Sequence, residues 1–106
     1  MAYFCGTDPL GNSIVLSDDI WEGHILNPLS GHPEVAGYRA DVEAAIVTPT
    51  EVWSSKWHPD RVVYYRPLAH RPGLMVAVVA DTRAGEVCTA HLIRERRRKG
   101  GVKLWP

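Results

Sequence analysis

The hydrophobic period of this chain changes once, at Thr48-Pro49. Before that dipeptide, Val35, Tyr38, Val42, Ala45 and Ile46 recur at spacings of three and four. That puts them on one face of a helix opened by Pro33 as an N1 proline, with Gly37 weakening its middle. After it, the apolar residues alternate in twos or run continuously β-branched at 51–56, 61–66, 74–80, 86–91 and 102–105. The breaks fall on His58-Pro59-Asp60, on His70-Arg71-Pro72-Gly73, on 81–85 and on a basic run. A chain ordered in this way places its helices on one face of an antiparallel meander and leaves the other face open.

The segment ahead of that helix adds two parts. Short apolar runs flank residues 6–12 (GTDPLGN), a turn-rich cluster suited to a loose β-hairpin serving as a lid or edge. Ser17 then caps a helix from Asp18 to about Leu26. Asp18 and Asp19 complement its positive end, Leu16 can staple onto Trp21, and Trp21 shares a face with Ile25. His24 falls at the border of that face. The predicted fold is α+β: an N-terminal hairpin and two or three helices packed on one face of a four- to five-stranded antiparallel sheet. Residues 1–106, 45% hydrophobic, are expected to form a single small domain.

No segment approaches the roughly 20 apolar residues of a membrane span, and the N-terminus lacks a signal pattern, so a soluble, cytoplasmic chain is expected. Cys5 and Cys88 have no CxxC spacing and read as reduced core thiols. His32, His58 and His70 stand beside prolines or in loops without HxxxH or HxH spacing, so neither a metal nor a cofactor is expected. Net charge is zero, yet it is unevenly spread. Residues 1–60 hold two Lys/Arg and nine Asp/Glu, a balance of minus seven; residues 61–106 hold ten and three, a balance of plus seven. Such a split marks a surface for an anionic partner, nucleic acid ahead of membrane, or else acidic helices that neutralise a basic sheet.

Alternation within 61–66 puts Val62, Tyr64 and Arg66 on one side and Arg61, Val63 and Tyr65 on the other. Within 86–91, Val87, Thr89 and His91 share a side opposite Cys88 and Ala90. Small, apolar Cys88 and Ala90 suit helix contact, which assigns Thr89 and His91 to the open face. Arg94, Arg96, Arg97, Arg98 and Lys99 follow within a few residues. An arginine, a hydroxyl and a histidine beside a basic loop are the parts needed to cleave RNA without a metal. A base takes the 2′-OH proton, an acid protonates the leaving 5′-oxygen, and cations stabilise the charge building on phosphate.

Taken in order, TDPLGNSIVLSDDIWEGHIL, HPE, Thr-Pro-x-Glu-Val with VVYYR, LMVAVVADTRAGEVCTAH and KGGVKLW resemble the phage-associated PBECR domains of the barnase, EndoU, colicin and RelE-like nuclease superfamily. The resemblance runs from about Thr7 to Trp105. It implies a metal-independent RNase activity; together with the basic C-terminal half, it makes an RNA endonuclease of toxin or mobile-element type, leaving a 2′,3′-cyclic phosphate, the expected function. By residue it implies a helix-borne His24, a strand arginine at Arg66, a hydroxyl at Thr89 and a basic position at Lys99. His91 stands where related sequences tend to carry an aromatic, and so either adds a catalytic group or replaces a stacking one. Arg94, Arg96, Arg97, Arg98 and Lys103 would guide RNA, tRNA among the candidates, and an acidic inhibitor or antitoxin protein is the expected partner of a toxin.

Each residue also has a plainer reading. His24 can be a partly buried polar group, Arg66 can pair with Glu22 or Glu34, and the basic run can be a solvated loop. Tyr64, Tyr65 and Trp57 can stack bases or fill the core. The alternative function is a non-catalytic RNA-binding or protein-interaction module on the same scaffold.

Overall fold

A computed structural model describes residues 3–97 and 99–106 as one seven-stranded sheet with a helical layer on one face. A hairpin of β1 (Tyr3–Thr7) and β2 (Ser13–Ser17) leads into helix α1 (Asp18–Ile20), which continues as a π-helical turn, Trp21–Ile25. A 3-10 turn, Pro33–Tyr38, runs into helix α2 (Arg39–Val47). The strands β3 (Glu51–Ser54), β4 (Arg61–Pro67), β5 (Leu74–Asp81) and β6 (Glu86–Arg94) form the meander, and β7 (Lys103–Trp105) closes the chain.

The α+β arrangement matches the change of period in the sequence, but the sheet is larger than the predicted four or five strands and is mixed. Its order is β1-β2-β6-β5-β4-β3-β7. The hairpin is an edge of the same sheet, because Ile14 and Leu16 alternate into the main core and Val15 bridges Glu86 in parallel. At the other edge β7 lies antiparallel to β3. The core lies between the helices and one sheet face. Trp21, Ile25, Val35, Val42, Ala45 and Ile46 from the helical side meet Val62, Tyr64, Val76, Val78 and Ala90 from the sheet.

Local chemistry accounts for the joints. Ser17 Oγ accepts from the Ile20 N–H, the expected cap. Beyond Ile20 the α-helix widens: the Leu26 N–H reaches back to the Trp21 carbonyl at 2.9 Å, and His24 turns into solvent instead of bordering the core. Arg39 ties the two helices, 3.0 Å from Asp18 and 3.1 Å from Glu43, and its guanidinium lies over Trp21. Buried Asp8 organises the hairpin turn by accepting from the Leu10 and Asn12 amides, and the Tyr64 hydroxyl donates to it at 2.5 Å from across the sheet. Burial, then this bond, hold the Tyr64 hydroxyl protonated far above the usual phenol range.

Two face assignments change. A β-bulge shifts the β5–β6 register so that Ala80 pairs with Val87 and Val79 with Thr89, leaving Cys88 as the extra residue. Val87 therefore turns into the core, while Thr89 and His91 stay on the opposite face with Val79 and Ala77. Neither cysteine is a core residue: Cys5 is exposed on the edge strand and Cys88 is half-buried, both as free thiols.

Because β6 and β7 lie on either side of β5, β4 and β3, the segment 95–102 must cross those strands. Its course is marked by Lys99 over the Tyr65 ring, Gly100 against Lys56, and a two-way tie between Val102 and Ser54. Gly101 adopts φ +79° where its backbone abuts the Ser54 carbonyl, a conformation and an approach that suit only glycine. The described residues of this segment, 95–97 and 99–102, form a strap laid over the face that the helices leave uncovered. Arg98 lies outside the described residues.

Candidate nucleic-acid interface

Strand pairing arranges the strapped face in rows. His91, Ala77, Tyr65 and Glu51 form one row across β6, β5, β4 and β3; Thr89, Val79, Val63 and Trp53 form the next. Tyr65, Ala77, Met75 and Ile93 make a small apolar cluster of their own, with Trp53 and Val63 against it.

At the β6 end of the first row, His91 meets a residue that its sequence spacing had set aside. The His32 ring lies 5.1 Å from the His91 ring, centroid to centroid, tilted by 37°. His32 is held on both sides: its N–H donates to the Ile25 carbonyl, its carbonyl accepts from the Val35 N–H, and Nδ1 lies 3.4 Å from Glu34 Oε2. Gly31 makes this possible, since a Cβ there would collide with the His24 and Ile25 carbonyls. Burial first, then the charges of His32 and Arg97, push the His91 imidazole below its ordinary value, while Glu34 pulls the other way. Nδ1 of His91 is buried with no hydrogen-bond partner among the described residues.

Toward β3, the strap brings its cations down onto the face. Lys99 Nζ sits 5.2 Å from the Tyr65 ring centroid and 3.2 Å from Glu51, and Lys103 lies 3.3 Å from the same carboxylate. Burial would raise Glu51, but the bonds from Lys99 and Lys103 outweigh it and hold the carboxyl below its usual range. Tyr65 is raised by burial, against the charge of Arg97, so its hydroxyl stays a donor. Arg97 stands between the two ends, close enough for its charge to bear on both Tyr65 and His91. Next to Lys99 a concavity of about 400 Å³ is lined by Ser54, Ser55, Lys56, Trp57, Val63, Tyr65, Val79 and Gly100.

The five predicted catalytic residues do not converge. Thr89, His91 and Lys99 share the strapped face; His24 and Arg66 do not. Arg66 projects on the helical side with Tyr64 and Val76, and its guanidinium donates to the Thr48 carbonyl at 2.6 Å and lies 3.2 Å from the Thr48 hydroxyl. It thereby caps the C-terminal end of α2, where a cation complements the helix dipole, rather than pairing with Glu22 or Glu34. His24 is exposed on the π turn of the helical layer, and among the described residues no hydrogen bond or ion pair joins it to Arg66. Of the RNA-guiding residues, Arg96 and Arg97 are exposed along the strap, Arg94 is exposed at the end of β6, paired with Leu74 on the helical side of the sheet, Lys103 is tied to Glu51, and Arg98 is outside the described set.

His32, Glu34 and Glu51 were not singled out as site residues by sequence pattern. The HPE and Thr-Pro-x-Glu-Val pieces of the family resemblance contain all three, but only the folded sheet shows that they flank one surface. Among the described residues no three His, Cys, Asp or Glu side chains cluster as a metal site, and no helix is long and apolar enough to cross a membrane. Comparison with family models, curated proteins and solved structures returned no match.

Proposed function

We propose that the chain is a metal-independent endoribonuclease acting on the strapped face, with a catalytic set redrawn around the paired imidazoles of His91 and His32. The observation that carries this reading is their 5.1 Å approach beside Arg97. A depressed His91 is neutral at pH 7 and suited to take the ribose 2′-OH proton. His32, backed by Glu34, is placed to return a proton to the leaving 5′-oxygen, both rings being near enough to serve oxygens on one phosphorus. Thr89, two residues from His91 on the same side of β6, supplies a hydrogen bond to the phosphate. Arg97 stabilises the charge that grows on it, while Lys99, two strands away over Tyr65, holds a phosphate farther along the RNA. The 2′-oxygen displaces the 5′-oxygen at phosphorus, giving a 2′,3′-cyclic phosphate and a 5′-hydroxyl. His24 and Arg66 have no part in the chemistry.

Incubation with total RNA and with tRNA in EDTA tests it. Cleavage to cyclic-phosphate ends is expected, lowered at least a hundredfold in His91→Ala and His32→Ala and kept in His24→Ala. No cleavage at any pH by folded protein would overturn the proposal. The Lys99–Glu51 pair favours a second reading, RNA binding without turnover, because the cation nearest the face is already engaged. Under that reading RNA is bound in a salt-sensitive way and returned intact. An acidic inhibitor protein would compete for the same face in either case.

A further inference from the structure

We infer that the groove between the β3–β4 turn and the strap is a subsite for one unpaired nucleobase, so that the substrate is single-stranded RNA. The inference rests on the nuclease reading of the same face and names what that face selects. Val63 and Val79 give the groove an apolar floor, Trp57 and Tyr65 give it aromatic walls, and Lys56 lines it as its cation, with Lys99 in the adjoining concavity beyond Gly100. Trp57 is 78% exposed, an unusual position for a tryptophan with no packing role. It is nonetheless held in place. The Ser55 hydroxyl accepts from the Trp57 and His58 amides, and the Ser55 N–H donates to the Arg61 carbonyl, so the turn presents the indole on an ordered frame. Lys56 covers one face of the ring at 5.1 Å to its centroid, which leaves the other face for a base and keeps an ammonium beside it for the phosphate.

The position fits the proposed chemistry. Floor residue Val79 pairs directly with Thr89, one strand spacing of about 4.8 Å away. A base lying on Val79 therefore carries its ribose phosphate toward Thr89 and His91. A duplex offers no free base face to such a groove, whereas a single strand offers one at every residue.

Fluorescence anisotropy with two probes tests the subsite: a pentanucleotide of 2′-O-methyl uridine, which has no free 2′-hydroxyl to cleave, and the same sugar-phosphate chain without bases. The uridine strand should bind roughly tenfold tighter. Trp57→Ala should abolish that difference without changing affinity for the base-free chain, and Trp57→Phe should restore most of it. Equal binding of the two probes, or equal weakening of both by Trp57→Ala, overturns the subsite. If RNA is nevertheless cleaved, the nuclease proposal survives that result. If neither probe binds at low salt and no RNA is cut, both fall together.

Discussion

Tyr64 and His91 occupy opposite faces of the sheet and answer to different physics. The Tyr64 hydroxyl meets a carboxylate that is almost wholly inside the protein, so removing the hydroxyl leaves buried Asp8 short of a donor. Tyr64→Phe should cost about 1–3 kcal/mol in urea unfolding. His91 is depressed chiefly by burial, so the unfolded chain, with histidine at about 6.5, binds a proton that the folded chain refuses. The contribution of neutral His91 to stability is therefore full above that pH and is lost as pH falls through the window below it. Glu51, held low by its two lysines, contributes above the ordinary carboxylate value of about 4.3, and its contribution disappears only as pH drops further. Melting temperature against pH should show two separate declines, and His91→Gln should flatten the upper one alone.

Among the elements, the meander and helix α2 could be read from residue patterns because period and β-branching are local properties. What escaped the sequence was non-local or geometric. Nothing in Ser13-Ile14-Val15-Leu16 announces parallel pairing with β6. The bulge that turns Val87 inward depends on β5–β6 register, and the π turn that exposes His24 depends on how Trp21 and Ile25 both reach the core. Thr89 and His91 could be placed on the open face from alternation together with the small size of Cys88 and Ala90; His32 could not, since its position is fixed by the Gly31 turn against α1. Gly31→Ala should push that turn outward. Cleavage should fall as the His32 and His91 rings separate, seen as changed imidazole shifts in NMR, while the sheet remains folded. Gly101→Ala should act on the other element of the site. Its left-handed φ and close approach to Ser54 make a destabilisation of more than about 1 kcal/mol expected, with the NMR shifts of Ser54 and Val102 moving most.

At the scale of the whole molecule, the charge split in the sequence becomes a split between layers. Asp18, Asp19, Glu22, Asp41 and Glu43 belong to the helices, while Arg96, Arg97 and Lys99 belong to the strap on the far side of the sheet. The two do not cancel by direct pairing: Arg39 serves the helical acids, and Glu51 serves the strap lysines. Under the proposed function, the resulting field steers the RNA to the strapped face. Neutralising Arg96 and Arg97, both exposed, should weaken RNA binding without altering cleavage position. The slope of log affinity against log salt should shrink by about 0.7 for each phosphate that the protein no longer neutralises. Finally, a stretch of chain that lies across strands β3 to β5 can be laid down only after those strands have assembled. It can also peel back without breaking them, being moored at its far end by Ser54 and Val102. Amide hydrogens there should exchange with solvent sooner than those of β4 and β5, so the molecule can lift its cations away and bare the Tyr65 and Ala77 surface at less than the cost of unfolding.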